Sequence, residues 1–186
     1  MSLGEGASGR DSVRVERIIP SKPLDVLVRS IEHAMWKLEK FRTRKDAEEE
    51  KPYEVVEFEG NVLLNEGING VLTPLICGGA ATAWDNANAR IGVGDSSAAE
   101  DAGQGGLQAA SNKFWKGMMT GFPTYGTSQE SVWKSEFAEG EAQFAWEEYT
   151  VVNAADDTGD NLCRKTQSLG TKGAEIWRLT LTVTWS

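Results

Sequence analysis

The last stretch of the chain constrains the fold more than any other. Residues 175–186 read EIWRLTLTVTWS, and Trp177, Leu179, Leu181, Val183 and Trp185 alternate with Arg178, Thr180, Thr182 and Thr184. Strict period-two alternation over nine residues describes a strand with one dry face and one wet face. Such a strand needs sheet partners and a second layer to bury its dry side. The preceding LCRKTQSLGTKG is expected to supply the partner strand and its turn. A chain that runs to its end in a strand is expected to tolerate little trimming there.

From Cys77 onward, Gly, Ser, Thr and Asn punctuate short β-prone runs, as in a sandwich or barrel. ARIGVGDSS reads as a strand ending at Gly94, EDAGQGGLQAAS as a long loop, and NKFWKGMMTGFP as an irregular strand. SVWKSEF and AQFAWEEYTVV read as two strands of a hairpin joined through AEGE. Trp133, Ser135 and Phe137 share one face of the first, and Ala142, Phe144 and Trp146 one face of the second. The expected fold class is mainly β, an antiparallel β-sandwich or barrel-like domain, with an N-terminal arm and two helices.

The front of the chain reads differently. Residues 1–22 begin MSLGEGASG, have little apolar period and read as a flexible arm. Within it Val13 and Val15 alternate with charged residues. In residues 22–45, Leu24, Leu27, Val28, Ile31, Met35 and Leu38 recur at three- and four-residue spacing, which predicts a helix with Ser21 as cap. YEVVEF at 53–58 predicts a short strand. Asn61 is expected to cap a second helix, NVLLNEGINGVLTPLI, weakened by Gly67, Gly70 and Pro74. The expected organisation is therefore an arm at 1–22, a helix and connecting segment at 23–60, and a β-rich domain at 61–186.

Charge narrows the function classes. The chain of 186 residues carries a net charge of −9. Residues 1–50 hold ten basic and ten acidic side chains, so residues 51–186 carry the whole excess. A domain this acidic is a poor grip for phosphate backbones, so no nucleic-acid partner is expected. No apolar run approaches the ~20 residues of a membrane span, and the N-terminus has no basic-then-apolar signal peptide.

The residues available for chemistry are sparse. His33 is the only histidine, and the cysteines Cys77 and Cys163 lie far apart in sequence, so both are expected as free buried thiols and no zinc set is expected. Asp156, Asp157 and Asp160 around Gly159 could form an oxygen-rich calcium loop, but without EF-hand spacing a turn between strands is the favoured reading. The glycines of IGVGDSS lack the lysine that a phosphate loop requires. Glu147 and Glu148 are adjacent in a predicted strand, so they face opposite sides and cannot act together on one bond. Glu139 and Glu141 flank Gly140 in a turn. No catalytic residue, cofactor or metal is expected. Of the seven tryptophans, those on regular strands are read as core. Trp84 and Trp115 lie on less regular segments and are candidates for a partner surface.

LLNEGINGVL, TAWDNANARIGVGDSS, GLQAASNKFWKGM, FAEGEAQFAWEEYTVVNA, LCRKTQSLGTK and the ending WRLTLTVTWS follow one another in this order. In order and spacing they resemble a group of small structural proteins of tailed phages and prophages, over roughly residues 61–186. The resemblance implies a non-enzymatic virion protein, synthesised in the host cytoplasm and similar to head decoration (cement) proteins. The alternative it implies is a tail or fibre-attachment accessory protein that binds host-surface glycans. The expected partners are the major capsid protein or other virion proteins, with copies of the chain in a trimer. Arg10, Val13, Arg14, Val15 and Arg17 of the arm, with Trp84 and Trp115, are the expected partner-binding residues.

Overall fold

The structure is a computed structural model, and it describes residues 33–185. In chain order its elements are β1 (His33–Phe41), α1 (Arg44–Glu48), β2 (Glu54–Glu59), β3 (Val62–Leu63), α2 (Asn65–Leu72) and β4 (Arg90–Gly94). Then follow β5 (Lys113–Gly117), β6 (Thr124–Tyr125), β7 (Glu130–Phe137), β8 (Glu148–Val152), β9 (Asn161–Thr166) and β10 (Ile176–Thr184). The strands form two antiparallel sheets, ordered β2-β1-β10-β7-β6 and β3-β9-β8-β4-β5. The described residues are therefore mainly β, built as two sheets around one main core, with two short α-helices.

β10 is the central strand of the first sheet. Its register sets Leu181 opposite Trp36 on β1 and Trp133 on β7, and Leu179 opposite Leu38 and Ser135. All of these side chains except Ser135 meet Ile91, Val93, Tyr149, Val151 and Cys163 of the second sheet in one buried cluster. Trp146 ties the layers together, with its ring edge-on to Phe137 at 4.7 Å and to Trp177 at 4.8 Å. Burying each such aliphatic or aromatic side chain stabilises the fold by roughly 1.5–3 kcal/mol.

The wet face of β10 is not wet at its start. Arg178 is buried, donating to Glu136 Oε2 (2.7 Å), Glu50 Oε1 (2.7 Å) and Ala47 O (2.8 Å). Its guanidinium lies 4.7 Å from the Phe41 ring. Phe41, Ala47 and Ile176 make a small second core there under α1, which starts at a Thr43–Asp46 capping box.

Four expectations are corrected. The helix expected over 22–45 is strand from His33: in β1, Ala34, Trp36 and Leu38 are buried and Met35 and Lys37 are half-buried. Its earlier residues lie outside the described range, as does the arm at 1–22. AEGE does turn, with Gly140 at φ 84° and Glu141 N donating to Ala138 O (3.2 Å), but Ala142 at φ 49° sends the chain to the other sheet. SVWKSEF and EYTVV thus lie in different sheets. LCRKTQ, expected beside β10, is β9 and pairs with β8 and β3; β10 pairs with β1 and β7. The second helix starts at Asn65 behind Leu64, which makes no side-chain cap, while Val62 and Leu63 form β3.

α2 packs closely on β9. A Cβ on Gly67 would lie 2.5 Å from Leu162 O and 2.6 Å from Leu162 Cα, so only glycine fits there. Glu66 in the first turn accepts from Asn161 N at 2.8 Å.

Candidate functional site

Two polar centres of the second sheet, one fully buried and one half-buried, hold loops. The outer face of the second sheet is covered by residues 95–112. Beneath them Arg164 and Glu148 are fully buried, with Arg164 Nε 2.8 Å and Nη2 2.7 Å from Glu148 Oε2. Arg164 also donates to Ala98 O (3.0 Å), Ala99 O (3.3 Å) and Gln104 Oε1 (3.0 Å). Glu148 accepts from Gln108 N (2.8 Å) and Ala109 N (2.7 Å). Glu100 takes both the amide and the hydroxyl of Thr166. With every charged atom paired and no exposed surface, this pair fastens the loop and presents nothing to a ligand.

The second centre is the turn between β8 and β9. Asp157 accepts from Lys113 Nζ (3.2 Å), Leu107 N (3.3 Å) and Trp115 Nε1 (3.3 Å). Burial raises its pKa, and these donors offset the rise only in part. Asp156 instead accepts from Thr158 N, and Asp160 Oδ2 lies toward Asn153. The three aspartates thus serve three different neighbours. Among the described residues, no group of three or more His, Cys, Asp or Glu is placed to hold a metal ion.

The remaining sequence candidates are equally dispersed. Glu139 pairs with Arg44 and Glu141 with Lys116, on separate neighbours. Glu147 accepts from Ser168 Oγ while Glu148 points into the buried centre, on opposite faces as the alternation requires. Gly92 and Gly94 sit within β4, where a Cβ on Gly92 would meet Thr150 Cγ2 at 2.8 Å and Trp115 at 2.9 Å. They make room for cross-strand packing. Cys77 is exposed, against the expectation of burial, and Cys163 is buried; both are free. Burial pushes the Cys163 thiol up to about 12, so it is no nucleophile at neutral pH.

An open cleft of about 530 Å³ lies at the edge of the first sheet. Trp84, Phe122, Tyr125 and Trp133 give it aromatic walls, and Asp85 and Asn86 stand beside them. Three of the four walls are held by hydrogen bonds from behind. Trp133 Nε1 donates to Trp84 O (3.1 Å), and Trp84 Nε1 to Asp160 O (3.1 Å). Asn86 Nδ2 donates to Met119 O (3.1 Å) and Phe122 O (2.5 Å), tying the two lips together. Asp85 Oδ1 accepts from Ala87 N, Asn88 N and Asn88 Nδ2 at 3.0–3.1 Å. Asp85 Oδ2 and Asn86 Oδ1 accept nothing from the described residues.

Of the expected partner-binding residues, Arg10, Val13, Arg14, Val15 and Arg17 lie outside the described residues. Trp84 and Trp115 are both half-buried. Both indoles donate to the β8–β9 turn, Trp84 to Asp160 and Trp115 to Asp157, but only Trp84 lines the cleft. Phe122 and Tyr125 were not singled out from sequence. Their signal was the GFPTY cluster, which is aromatic but has no strand period. No protein-family model matches the chain, and neither a curated protein nor a solved structure matches it.

Proposed function

We propose that the protein is a non-enzymatic structural component of a tailed-phage virion, a decoration protein on the outer surface of the head. One observation carries this reading. The segments that resemble phage structural proteins contain the residues that lock this fold. Gly67 of LLNEGINGVL seats α2 on β9, and Gly92 of TAWDNANARIGVGDSS lets β4, β5 and β8 pack. Ala109 of GLQAASNKFWKGM, Glu148 of FAEGEAQFAWEEYTVVNA and Arg164 of LCRKTQSLGTK meet in the buried pair and its loop. A pattern spent on architecture suits a protein whose task is to be a rigid piece of a particle. The acidic balance of residues 51–186 suits an outward face or a basic neighbour. The partners in this reading are the major capsid protein and two further copies of the chain around a symmetry axis.

The test uses virions purified from a host that carries this sequence. Peptides of the chain are expected in the purified particles, with antibody label on the head. Particles that lack the protein would refute the reading, and label on the tail would replace the head with a tail accessory role. Deletion of residues 1–22 leaves every described strand in place and is expected to give a folded domain that no longer binds particles.

A further inference from the structure

The cleft between residues 83–86 and 121–125 has chemistry that neither the core nor the two polar centres explain. We infer that it is a binding site for a neutral saccharide, with Tyr125, Phe122 and Trp84 as stacking surfaces and Asp85 and Asn86 as hydroxyl acceptors. This does not rest on the virion reading, and it holds for a head or a tail position alike.

Three observations point to this ligand class. The first is the aromatic wall. Tyr125 is 89% exposed on β6, where a large ring gains nothing from the core. An aromatic face carries negative charge density, and the C–H face of a pyranose presents the complementary positive edge. The second is the pair of oxygens. Asp85 and Asn86 are exposed beside those rings, and Asp85 Oδ2 and Asn86 Oδ1 accept from none of the described residues, so both are open to a ligand's hydroxyls. Sugar hydroxyls donate to such acceptors in pairs. An apolar side chain from a protein partner would cover them and leave them unsatisfied, which opposes burial. The third is rigidity. The Trp84, Trp133 and Asn86 hydrogen bonds fix both lips before any ligand arrives, so little ordering is spent on binding. The volume falls within the range of small-ligand pockets.

Charge selects among sugars. The lining holds one carboxylate and no lysine or arginine. An acidic saccharide is therefore repelled. A small cation is the other chemistry that aromatic walls and a carboxylate can hold. A quaternary ammonium head carries no N–H or O–H on its charged group, so it would leave Asn86 Oδ1 unsatisfied where a pair of sugar hydroxyls serves both acceptors.

The experiment is an NMR titration of the ¹⁵N-labelled full chain. The probes are methyl glycosides of glucose, galactose, rhamnose and N-acetylglucosamine, with glucuronic acid and choline as controls. At least one neutral glycoside is expected to shift the Trp84 and Trp133 indole N–H signals saturably. A rigid cleft and one sugar ring predict a dissociation constant on the order of 1 mM. Tyr125→Ala removes an exposed ring, leaves the fold intact, and is expected to weaken binding roughly three- to tenfold. Glucuronic acid and choline are expected to leave both indoles unmoved. The inference is overturned if no neutral glycoside moves the two indoles, if Tyr125→Ala binds as tightly as the parent, or if choline binds in their place. Absence of sugar binding would leave the particle assays untouched.

Discussion

Replacing Arg164 with methionine tests whether the buried pair holds the second sheet together. Arg164→Met keeps most of the side-chain volume but removes both bonds to Glu148 and the four to the 98–104 segment. Glu148 then stays fully buried with only Gln108 N and Ala109 N as donors. Leaving one charge of a buried pair uncompensated costs about 3–5 kcal/mol. With a urea dependence of about 2 kcal/mol per M for a domain of this size, the unfolding midpoint falls by roughly 2 M. Removing the charge as well, in Glu148→Gln/Arg164→Met, is expected to recover part of the loss, because the desolvated carboxylate is gone. Lys45→Met is the control. It breaks the exposed i,i+4 pair with Glu49, worth only about 0.3–0.5 kcal/mol. Hydrogen exchange supplies a local readout, since the Gln108 and Ala109 amides lose protection only if the loop lifts from the sheet. An Arg164→Met cost below about 1 kcal/mol, with those amides still protected, would refute the assignment.

Further outcomes follow from the same contacts. Gly67→Ala places a methyl against the Leu162 backbone and is expected to cost about 1–3 kcal/mol or more by overpacking; a denaturation midpoint equal to the parent's would contradict the close approach. In the folded protein Cys77 is expected to react with a thiol reagent and Cys163 only after unfolding, counted by mass before and after denaturant. Acid is expected to weaken the fold. Burial alone would raise Glu39 and Glu136, but hydrogen bonds from Lys37 and Lys134, and from Arg44 and Arg178, hold both below the usual carboxylate range. Their contribution is complete above the unfolded value of about 4.5 and is lost as pH falls through the lowered folded values. Asp157, whose pKa is raised, works in the opposite direction, adding stability at low pH. The two lowered groups outnumber it, so the urea midpoint is expected to fall between about pH 5 and pH 3. A midpoint that rises over that window would reverse the sign.

β10 was legible because its alternation is unbroken, and β4, the 100–111 loop and β2 were legible from their punctuation. β1 was not, although it also alternates. Lys40 occupies an inward position there, with its Nζ 4.6 Å from the Trp177 ring centre and 3.3 Å from Leu169 O. A lysine whose stem packs inward looks polar in sequence, and Met35 on the opposite face completes a false helical stripe. Strand pairing failed for another reason. Neighbours in sequence are not neighbours in the sheet here, because the chain changes sheets after β7 and again after β9. Nothing local reports that, since the turn at Gly140 is sound and only Ala142 redirects the chain. The cleft was half visible. Trp84 stood out as an unplaced tryptophan, while its companions Phe122 and Tyr125 come from a segment about forty residues further on, joined to it through Asn86.

The loop over the second sheet is gripped mostly by its backbone. Arg164 takes the carbonyls of Ala98 and Ala99, and Glu148 takes the amides of Gln108 and Ala109. The side chains of Ser97, Ala98, Ala99, Asp101 and Gln108 are exposed. Holding a segment by its main chain leaves its lettering free. At Ser97, Ala98 and Ala99 that face can change its surface chemistry while Glu100 and Gln104 keep their bonds to Thr166 and Arg164, which makes this stretch the natural place to carry a foreign epitope.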